Sequence, residues 1–189
     1  PAVVDVACGT GEWLEVCRDR GASVAGVDIS RKAIEECKQI IADGRFFAQP
    51  GEALPFADGE FDVVTCFGSL EHSLDPVASL VEMVRVARES ATFVFLVPNA
   101  NFLTRRIGLF RGTRQSAALE VVRTIDEWER IFRAAGLTVE DQWRDLHVLN
   151  LGWIRQGPAM MWPVRALQAL LLPVWPLRWQ YQIYFRCSS

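Results

Sequence analysis

The chain opens on a strand-like apolar run that leads directly into two closely spaced glycines. Residues 2–6 are rich in β-branched side chains, and Gly9-Thr10-Gly11 follows before a helix-like segment begins. Two glycines at this point let the main chain turn sharply and approach a ligand without intervening side chains. The unpaired N–H groups of the next helical turn carry partial positive charge, which favours a carboxylate or a phosphate. The pattern therefore predicts a strand, a tight turn and a helix N-terminus around a bound cofactor.

A nicotinamide dinucleotide is one cofactor that such a turn can bind. Its fingerprint needs a third small residue three positions after the second glycine, where helix and strand pack closely, and the sequence has Leu14 there. Asp28 nevertheless ends the next strand-like run, about where α/β nucleotide-binding folds place the carboxylate that binds ribose. The alternative is that Asp28 only helps to cap the following helix, for which Ser30 is a natural N-cap. We favour ribose binding because the spacing and the loop agree.

The net charge and the spacing of the cysteines argue against several classes of protein. The 189 residues carry a net charge of −3, and half of them are hydrophobic, which argues against a nucleic-acid binder and against disorder. The five cysteines are scattered without a Cys-x-x-Cys pair, so neither a disulfide framework nor a metal site is predicted. We expect a folded protein in a reducing cytoplasm. Because the chain starts on a strand without an initiator Met, we also expect a missing N-terminal segment.

Strand-like and helix-like segments alternate through the first hundred residues. A helix is predicted over 11–20, with Trp13, Leu14, Val16 and Cys17 facing inward. Residues 92–97 form a wholly apolar strand, as expected for a parallel sheet that is covered on both faces. Thr124 and Glu127 have the spacing of a capping box and predict the start of a later helix. The alternation predicts a doubly wound α/β sheet.

The glycine loop and three later motifs form a more specific pattern, in a fixed order along the chain. These motifs are Asp5-Val6-Ala7-Cys8-Gly9-Thr10-Gly11, Glu52-x-Leu54-Pro55-Phe56, Phe61-Asp62-Val63-Val64 and Leu70-Glu71-His72. In type and spacing they resemble the motifs of class I S-adenosylmethionine (SAM) methyltransferases. The resemblance is to the small-molecule type of ubiquinone and menaquinone biosynthesis, methyltransferase type 11, and covers residues 3–97.

The resemblance implies a fold, an activity and a cofactor. The fold is a mostly parallel, seven-stranded Rossmann-like sheet with a helical cover and an antiparallel edge strand near residues 181–186. One methyltransferase domain is expected over 1–189, with residues 1–98 as the cofactor-binding half and 99–123 and 146–177 as cover insertions. The implied reaction uses SAM to methylate a small-molecule, glycan or lipid-linked acceptor, and we expect oxygen as the methylated atom.

The resemblance and the loop together predict the cofactor-binding residues. They are Asp5, Ala7, Cys8, Gly9, Gly11, Asp28, Ile29, Gly51, Glu52, Ala53, Cys66 and Phe67. Main-chain groups of the glycine loop are expected to hold the methionine part of SAM, Ile29 to pack on adenine, and Asp5 to order the loop. Relatives often carry an acidic residue facing adenine where this chain has Pro50. Main-chain groups near Gly51 and Ala53, helped by Glu52, are therefore expected to read adenine here.

His72 is the candidate catalytic residue, because it is the histidine nearest to the predicted cofactor-binding residues. A neutral imidazole has the acid–base range to take a proton from a hydroxyl acceptor. The alternative is a structural histidine that bonds a loop carbonyl. His147, in the covering region, is a second candidate for the same role.

Two segments outside the motifs leave alternatives open. Arginines interleaved with apolar residues over 99–123 suggest an anionic substrate or a membrane surface, or else a solvated face over an apolar stripe. Residues 151–177 are rich in Trp, Met, Leu and Pro, yet their apolar runs are too short and too broken to span a bilayer. This stretch is a peripheral membrane segment, a lid for an apolar acceptor, or packed core, including core against a second subunit.

The sequence leaves two alternative functions open. One is a non-catalytic methyltransferase-like module that binds a partner through the Trp-rich end. The other is a nicotinamide-dependent oxidoreductase, which Leu14 and the Glu-x-Leu-Pro-Phe segment disfavour.

Overall fold

The chain folds into a seven-stranded sheet with helices on both faces. The computed structural model describes residues 1–106, 121–155 and 159–189. The strands are β1 (Ala2–Val6), β2 (Ser23–Asp28), β3 (Arg45–Ala48), β4 (Phe61–Phe67), β5 (Ala87–Pro98), β6 (Thr138–Arg144) and β7 (Gln182–Ser188). The α-helices are α1 (Glu12–Asp19), α2 (Arg31–Ile40), α3 (Pro76–Val86), α4 (Leu103–Arg106), α5 (Ile125–Ala134), α6 (Leu151–Arg155) and α7 (Trp162–Leu171). Short 3₁₀ helices cover Leu70–His72, His147–Leu149, Ala159–Met161, Leu172–Val174 and Leu177–Trp179.

The strand order is β3-β2-β1-β4-β5-β7-β6. Strands β1 to β5 are mutually parallel, and β7 is antiparallel to both of its neighbours. The predicted doubly wound sheet and its antiparallel strand are thus confirmed, with β7 lying between β5 and the outermost strand β6. The strand order reverses between β1 and β4, and ligands of such sheets bind in the crevice beyond the carboxyl ends of the strands at that point.

Two apolar layers hold the helices against the sheet. On one face, Leu14 of α1 and Cys37 of α2 are fully buried against β1 and β2. On the other face, α3 and α5 pack on the inward side chains of β4, β5 and β7. There Phe132 stacks on Phe95 at a centroid distance of 4.9 Å, and Trp128 Nε1 donates to the carbonyl of Pro98 at 2.9 Å. The end of β5 is therefore fixed by a helix from the second half of the chain.

Helix starts follow the capping residues that the sequence predicts. The Ser30 hydroxyl accepts from Ala33 N at 3.3 Å, and Thr124 and Glu127 form the complete capping box of α5. The prediction that Trp13, Leu14, Val16 and Cys17 of α1 all face inward is correct for only two of them. Leu14 and Cys17 are buried, whereas Trp13 and Val16 are 39% and 41% exposed, because a helix of only eight residues presents one narrow stripe to the sheet.

A helical cover follows β6 and returns to β7. The 3₁₀ turn at 147–149, α6 and α7 pack on one another. Arg144 donates to the carbonyl of Leu172, and Asn99 Nδ2 donates to the carbonyls of Arg178 at 2.8 Å and Gln180 at 3.0 Å. Most of the cover predicted over 99–123, including Arg111 and Arg114, lies outside the described residues. Within those residues, no helix is long and apolar enough to cross a membrane.

Candidate functional site

Three residues of the loop after β1 have backbone angles in the left-handed region. Gly9 has a φ of 52° and Gly11 a φ of 82°, which are conformations that favour glycine. Ala7 has a φ of 63°, which costs a non-glycine residue about 1–2 kcal/mol. A Cβ on Gly11 would lie 3.0 Å from Cys37 Sγ, so the loop also lacks room for a side chain there. The sequence did not signal the strain at Ala7.

Asp28 fastens this loop from the end of β2. Its Oδ2 accepts from the main-chain N–H of Gly9 at 2.9 Å, and its Oδ1 accepts from the N–H of Ser30 at 2.8 Å. Each carboxylate oxygen keeps a second lone pair, and the side chain is only partly buried beside the cavity. Asp28 therefore orders the loop and still offers acceptor capacity to a ligand hydroxyl.

Two thiols pack underneath the same loop. Cys37 donates from Sγ to the carbonyl of Gly9 at 3.2 Å, and Cys8 Sγ lies 3.8 Å from the same oxygen. Burial raises the pKa of both thiols, which keeps them protonated and suits them as weak donors rather than nucleophiles. The five cysteines of the chain are all free and buried.

Asp5 lies below the loop rather than in the cavity. Its side chain is 4% exposed, and its Oδ1 accepts from Thr65 Oγ1 at 2.6 Å. Burial raises the pKa of Asp5 to about 7, against the lowering effect of the Thr65 hydrogen bond, while the charge of Asp28 adds to the rise. A buried carboxyl that bonds across from β1 to β4 orders the strand ends that carry the loop.

A cavity of about 810 Å³ opens beyond the carboxyl ends of β1 and β4. Its lining residues are Val6, Ala7, Asp28, Ile29, Gln49, Pro50, Gly51, Glu52, Cys66, Ser69, Leu70, His72, Ser73, Leu74, Ser79 and Met83. The structure thus brings together seven of the predicted site residues, namely Ala7, Asp28, Ile29, Gly51, Glu52, Cys66 and His72. The volume lies within the range of small-molecule and cofactor sites.

The remaining predicted residues surround the cavity without lining it. Asp5, Cys8, Gly9 and Gly11 belong to β1 and its loop, and Ala53 N donates to the carbonyl of Pro50 at 3.3 Å. Phe67 packs edge-to-face on Trp13 at 5.7 Å and on Tyr184 at 5.8 Å. Since side chains alternate along a strand, Phe67 and Cys66 point to opposite faces of the sheet.

Part of the cavity lining is apolar and is not covered by anything in the described chain. Ile29 is 81% exposed and Leu74 is 97% exposed at its rim. Gly51, which also lines the cavity, comes so close to Val6 that a Cβ would lie 3.0 Å from Val6 Cγ1. A carboxylate beside an open apolar slot fits a nucleoside, whose hydroxyls and base need these two kinds of surface.

His72, Ser69 and Ser73 also line the cavity. His72 lies in the 3₁₀ turn that follows β4, and its Nδ1 is buried with no hydrogen-bond partner among the described residues. Ser73 Oγ donates to Glu52 Oε1 at 2.7 Å and lies 2.9 Å from Ser79 Oγ. His147, by contrast, is bonded to the Asp145 carboxylate and does not line the cavity.

The cavity loop over 50–58 is anchored by one arginine of α3. Arg85 donates to the carbonyls of Leu54 at 3.0 Å and Phe56 at 2.9 Å, and it pairs with Glu82 and Asp58 at 2.7 Å. Glu82 in turn accepts from Leu54 N at 2.9 Å. Nothing in the local sequence pattern identified Arg85, because its partners lie about thirty positions away in the chain.

The described residues hold no group of three or more His, Cys, Asp or Glu side chains that is arranged for a metal ion. The polar groups at the cavity are instead a carboxylate, an imidazole, hydroxyls and main-chain atoms.

Comparisons with known sequences agree with this geometry. A family model described as a methyltransferase domain matches residues 4–95. The ubiquinone/menaquinone biosynthesis C-methyltransferase of Geotalea uraniireducens is 34% identical over 132 residues, which are 65% of this chain and 54% of that protein. The ubiquinone biosynthesis O-methyltransferase of Methylococcus capsulatus is 31% identical over 144 residues, 67% of this chain and 60% of that protein.

A longer alignment joins the chain to the demethylmenaquinone methyltransferase of Beutenbergia cavernae. The two are 31% identical over 163 residues, which are 79% of this chain and 68% of that protein. Across these three relatives, the chain therefore spans between about half and two thirds of their length.

Solved structures share the fold. A chain from the complex between the Haloferax volcanii Trm112 methyltransferase activator and its methyltransferase matches with a TM-score of 0.74 and 22% identity, over 100% of this chain and 81% of that one. An S-adenosylmethionine-dependent methyltransferase from Mesorhizobium loti matches with a TM-score of 0.73 and 15% identity, over 100% and 90%.

Proposed function

We propose that this chain, which belongs to the family of class I SAM-dependent methyltransferases, transfers a methyl group from SAM to an oxygen of a small-molecule, glycan or lipid-linked acceptor. The cofactor of this family is SAM. The observation that carries the proposal is a single cavity that Asp28, Ile29 and His72 all line.

The proposed cofactor site combines Asp28, at the end of β2, with the loop that follows β1. Asp28 binds the ribose hydroxyls with its remaining lone pairs, and Ile29 and Leu74 cover the faces of adenine. The main chain around Gly9 and Gly11 holds the methionine part near the start of α1, where N–H groups attract its carboxylate. Bound SAM supplies an electrophilic methyl on a sulfonium, so the protein has mainly to align an acceptor and exclude water.

The proposed acceptor side is the part of the cavity that His72 lines. Its buried Nδ1 has no partner among the described residues, and an unpartnered buried polar atom needs a functional explanation. An imidazole here can take the proton that a hydroxyl loses as its oxygen is methylated. Relatives include both C- and O-methyltransferases by name, and a proton acceptor at this place favours oxygen. The cover over 99–123 and 146–177 would enclose the acceptor, and the buried free thiols suit a reducing cytoplasm.

The direct test measures transfer from labelled SAM to hydroxylated quinone precursors, phenols and glycan or lipid-linked hydroxyls. We expect one class to gain a label on oxygen, identified by mass spectrometry and NMR of the product. Labelling of carbon would overturn the oxygen assignment but not the methyltransferase. SAM binding without turnover, together with a stable complex with another protein, would favour the partner-binding module.

A further inference from the structure

We propose that the cover between Leu146 and Val174 docks on an anionic phospholipid surface. The proposal goes beyond methyl transfer, since it concerns where the protein binds and not which reaction it performs. We call the docking surface the cover face. It comprises the exposed apolar side chains of Leu146, Leu149, Leu151, Met160, Trp162, Leu167, Leu170, Leu171 and Val174.

The exposure of these side chains is high for apolar residues. Met160 is 81% exposed, Leu170 and Val174 are each 77% exposed, and Leu151 is 65% exposed. Isolated apolar residues are normal on a protein surface, but a concentration of them in neighbouring elements marks an interaction site. Since the 147–149 turn, α6 and α7 pack on one another, these side chains belong to one part of the molecule.

The described exposed residues of helix α7 are all apolar. Its exposed residues Pro163, Leu167, Leu170 and Leu171, continued by Val174, recur at the spacing of one helical stripe. A helix at a water-facing surface carries polar residues on that stripe. An apolar outward stripe on an interfacial helix instead faces the boundary between lipid headgroups and acyl chains.

The charge of the cover indicates which kind of surface the cover face binds. All 23 acidic residues of the chain precede Leu146, although the whole chain has a net charge of −3. The cover itself contains only basic charges, and Arg155 and the following Arg178 are exposed. A patch that combines exposed leucines, a half-exposed Trp162 and arginines without carboxylates is complementary to anionic lipid. This charge pattern favours a lipid surface over a second copy of the chain, because pairing the same patch on two copies would bring arginines together without carboxylates.

The position of the cover connects this surface to the cavity. The cover leaves the sheet after Arg144 at the end of β6 and re-enters at Gln182, the start of the antiparallel β7. Both points lie at the carboxyl edge of the parallel strands, where the cavity also opens. Docking through the cover face therefore brings that edge of the sheet towards the membrane.

The test is flotation of the full chain with vesicles of phosphatidylcholine alone or mixed with phosphatidylglycerol. We expect flotation with the mixed vesicles and little with the neutral ones. The double variant Leu167→Gln/Leu170→Gln should bind roughly tenfold more weakly or worse. Arg155→Gln/Arg178→Gln should lose most of the preference for anionic lipid, as should the unchanged protein at high salt.

Ile40→Gln is the matched control, since Ile40 is 47% exposed at the end of α2, outside the cover. This variant should float like the unchanged chain. Calorimetry with SAM should give the same affinity for all variants, because none of the substituted residues lines the cavity, so a failure of membrane binding is separable from a failure of cofactor binding. Absence of flotation, or equal losses in the Leu167/Leu170 and Ile40 variants, would overturn the proposal. So would a dimer in light scattering that the Leu167/Leu170 variant abolishes while vesicles bind neither protein.

Discussion

The Asp28 carboxylate accepts a 2.9 Å hydrogen bond from the main-chain N–H of Gly9, nineteen residues earlier in the chain. The end of β2 thereby holds the loop that follows β1, and the same carboxylate borders the cavity. The residue proposed to bind ribose and the loop proposed to bind methionine are thus one hydrogen-bonded unit. A change at Asp28 acts on both halves of the cofactor site.

Asp28→Ala should weaken SAM binding roughly ten- to a hundredfold, because it removes charged acceptors for ribose and releases the loop. Asp28→Asn should fall between this variant and the unchanged protein, since its amide NH₂ faces a main-chain N–H donor. Isothermal calorimetry with SAM measures both. Asp43→Asn, in the exposed turn after α2, is the control and should bind normally. Equal affinity for Asp28→Ala and the unchanged chain would contradict the assignment.

Arg85→Lys should lower both stability and SAM affinity. Lysine cannot reproduce the guanidinium fork that reaches two carbonyls and two carboxylates at once. We expect a loss of about 1–2 kcal/mol in the free energy of unfolding, because the group is partly exposed, and SAM binding several times weaker, because the cavity loop at Gly51 loosens. Urea denaturation and calorimetry test the two effects. Arg130→Lys on the outer side of α5 should change neither, and an unaltered SAM affinity in Arg85→Lys would show that the loop does not depend on this anchor.

Local patterns and the family resemblance predicted much of the fold and the residues that line the candidate site. The alternation of strands and helices, the capping box at Thr124 and Glu127 and the antiparallel strand β7 are all found in the structure. These features depend on neighbours a few residues apart or on the order of motifs. The predicted Asp28, Ile29 and His72 meet at one cavity for the same reason, because parallel strands place their following loops at one edge.

Local sequence patterns did not predict the features that depend on distant residues or on the backbone conformation. The left-handed backbone of Ala7 escapes a rule that looks for glycine, because the strain is imposed by the turns around it. Arg85 was missed because a surface arginine on a helix is ordinary until its distant partners are known. Trp13 and Val16 were misplaced because helical spacing predicts a stripe but not how wide a face the sheet can bury.

Asp5→Asn should flatten the pH dependence of stability. The pKa of Asp5 is about 7 in the folded chain and its ordinary value is 3.8, so between these values the folded state holds a proton that the unfolded state has released. Stability therefore falls as pH rises through this window, by about 1.4 kcal/mol per pH unit, and levels off above the folded-state pKa. Asn removes this contribution, so the variant should gain on the unchanged protein from about pH 4 to pH 7.

Urea denaturation at intervals between about pH 5 and pH 8 measures the difference between the two proteins. Asp62→Asn is an opposite control. The N–H of Ala2 and the guanidinium of Arg88 lower the pKa of Asp62, so its contribution is lost only as pH falls below the ordinary carboxyl range. The slope of this control above pH 5 should match that of the unchanged chain, and parallel curves for Asp5→Asn would mean that Asp5 is ionised when folded.

His72→Gln tests the proposed proton acceptor, and His147→Gln is its matched control. Glutamine keeps a polar side chain at the cavity but cannot accept the hydroxyl proton, so kcat should fall roughly a hundredfold or more, while SAM affinity stays within about twofold. His147 is bonded to Asp145 outside the cavity, and its replacement should leave kcat unchanged. If His72→Gln retains the full rate across the pH range, His72 is a structural residue, and the hydroxyl proton passes to solvent.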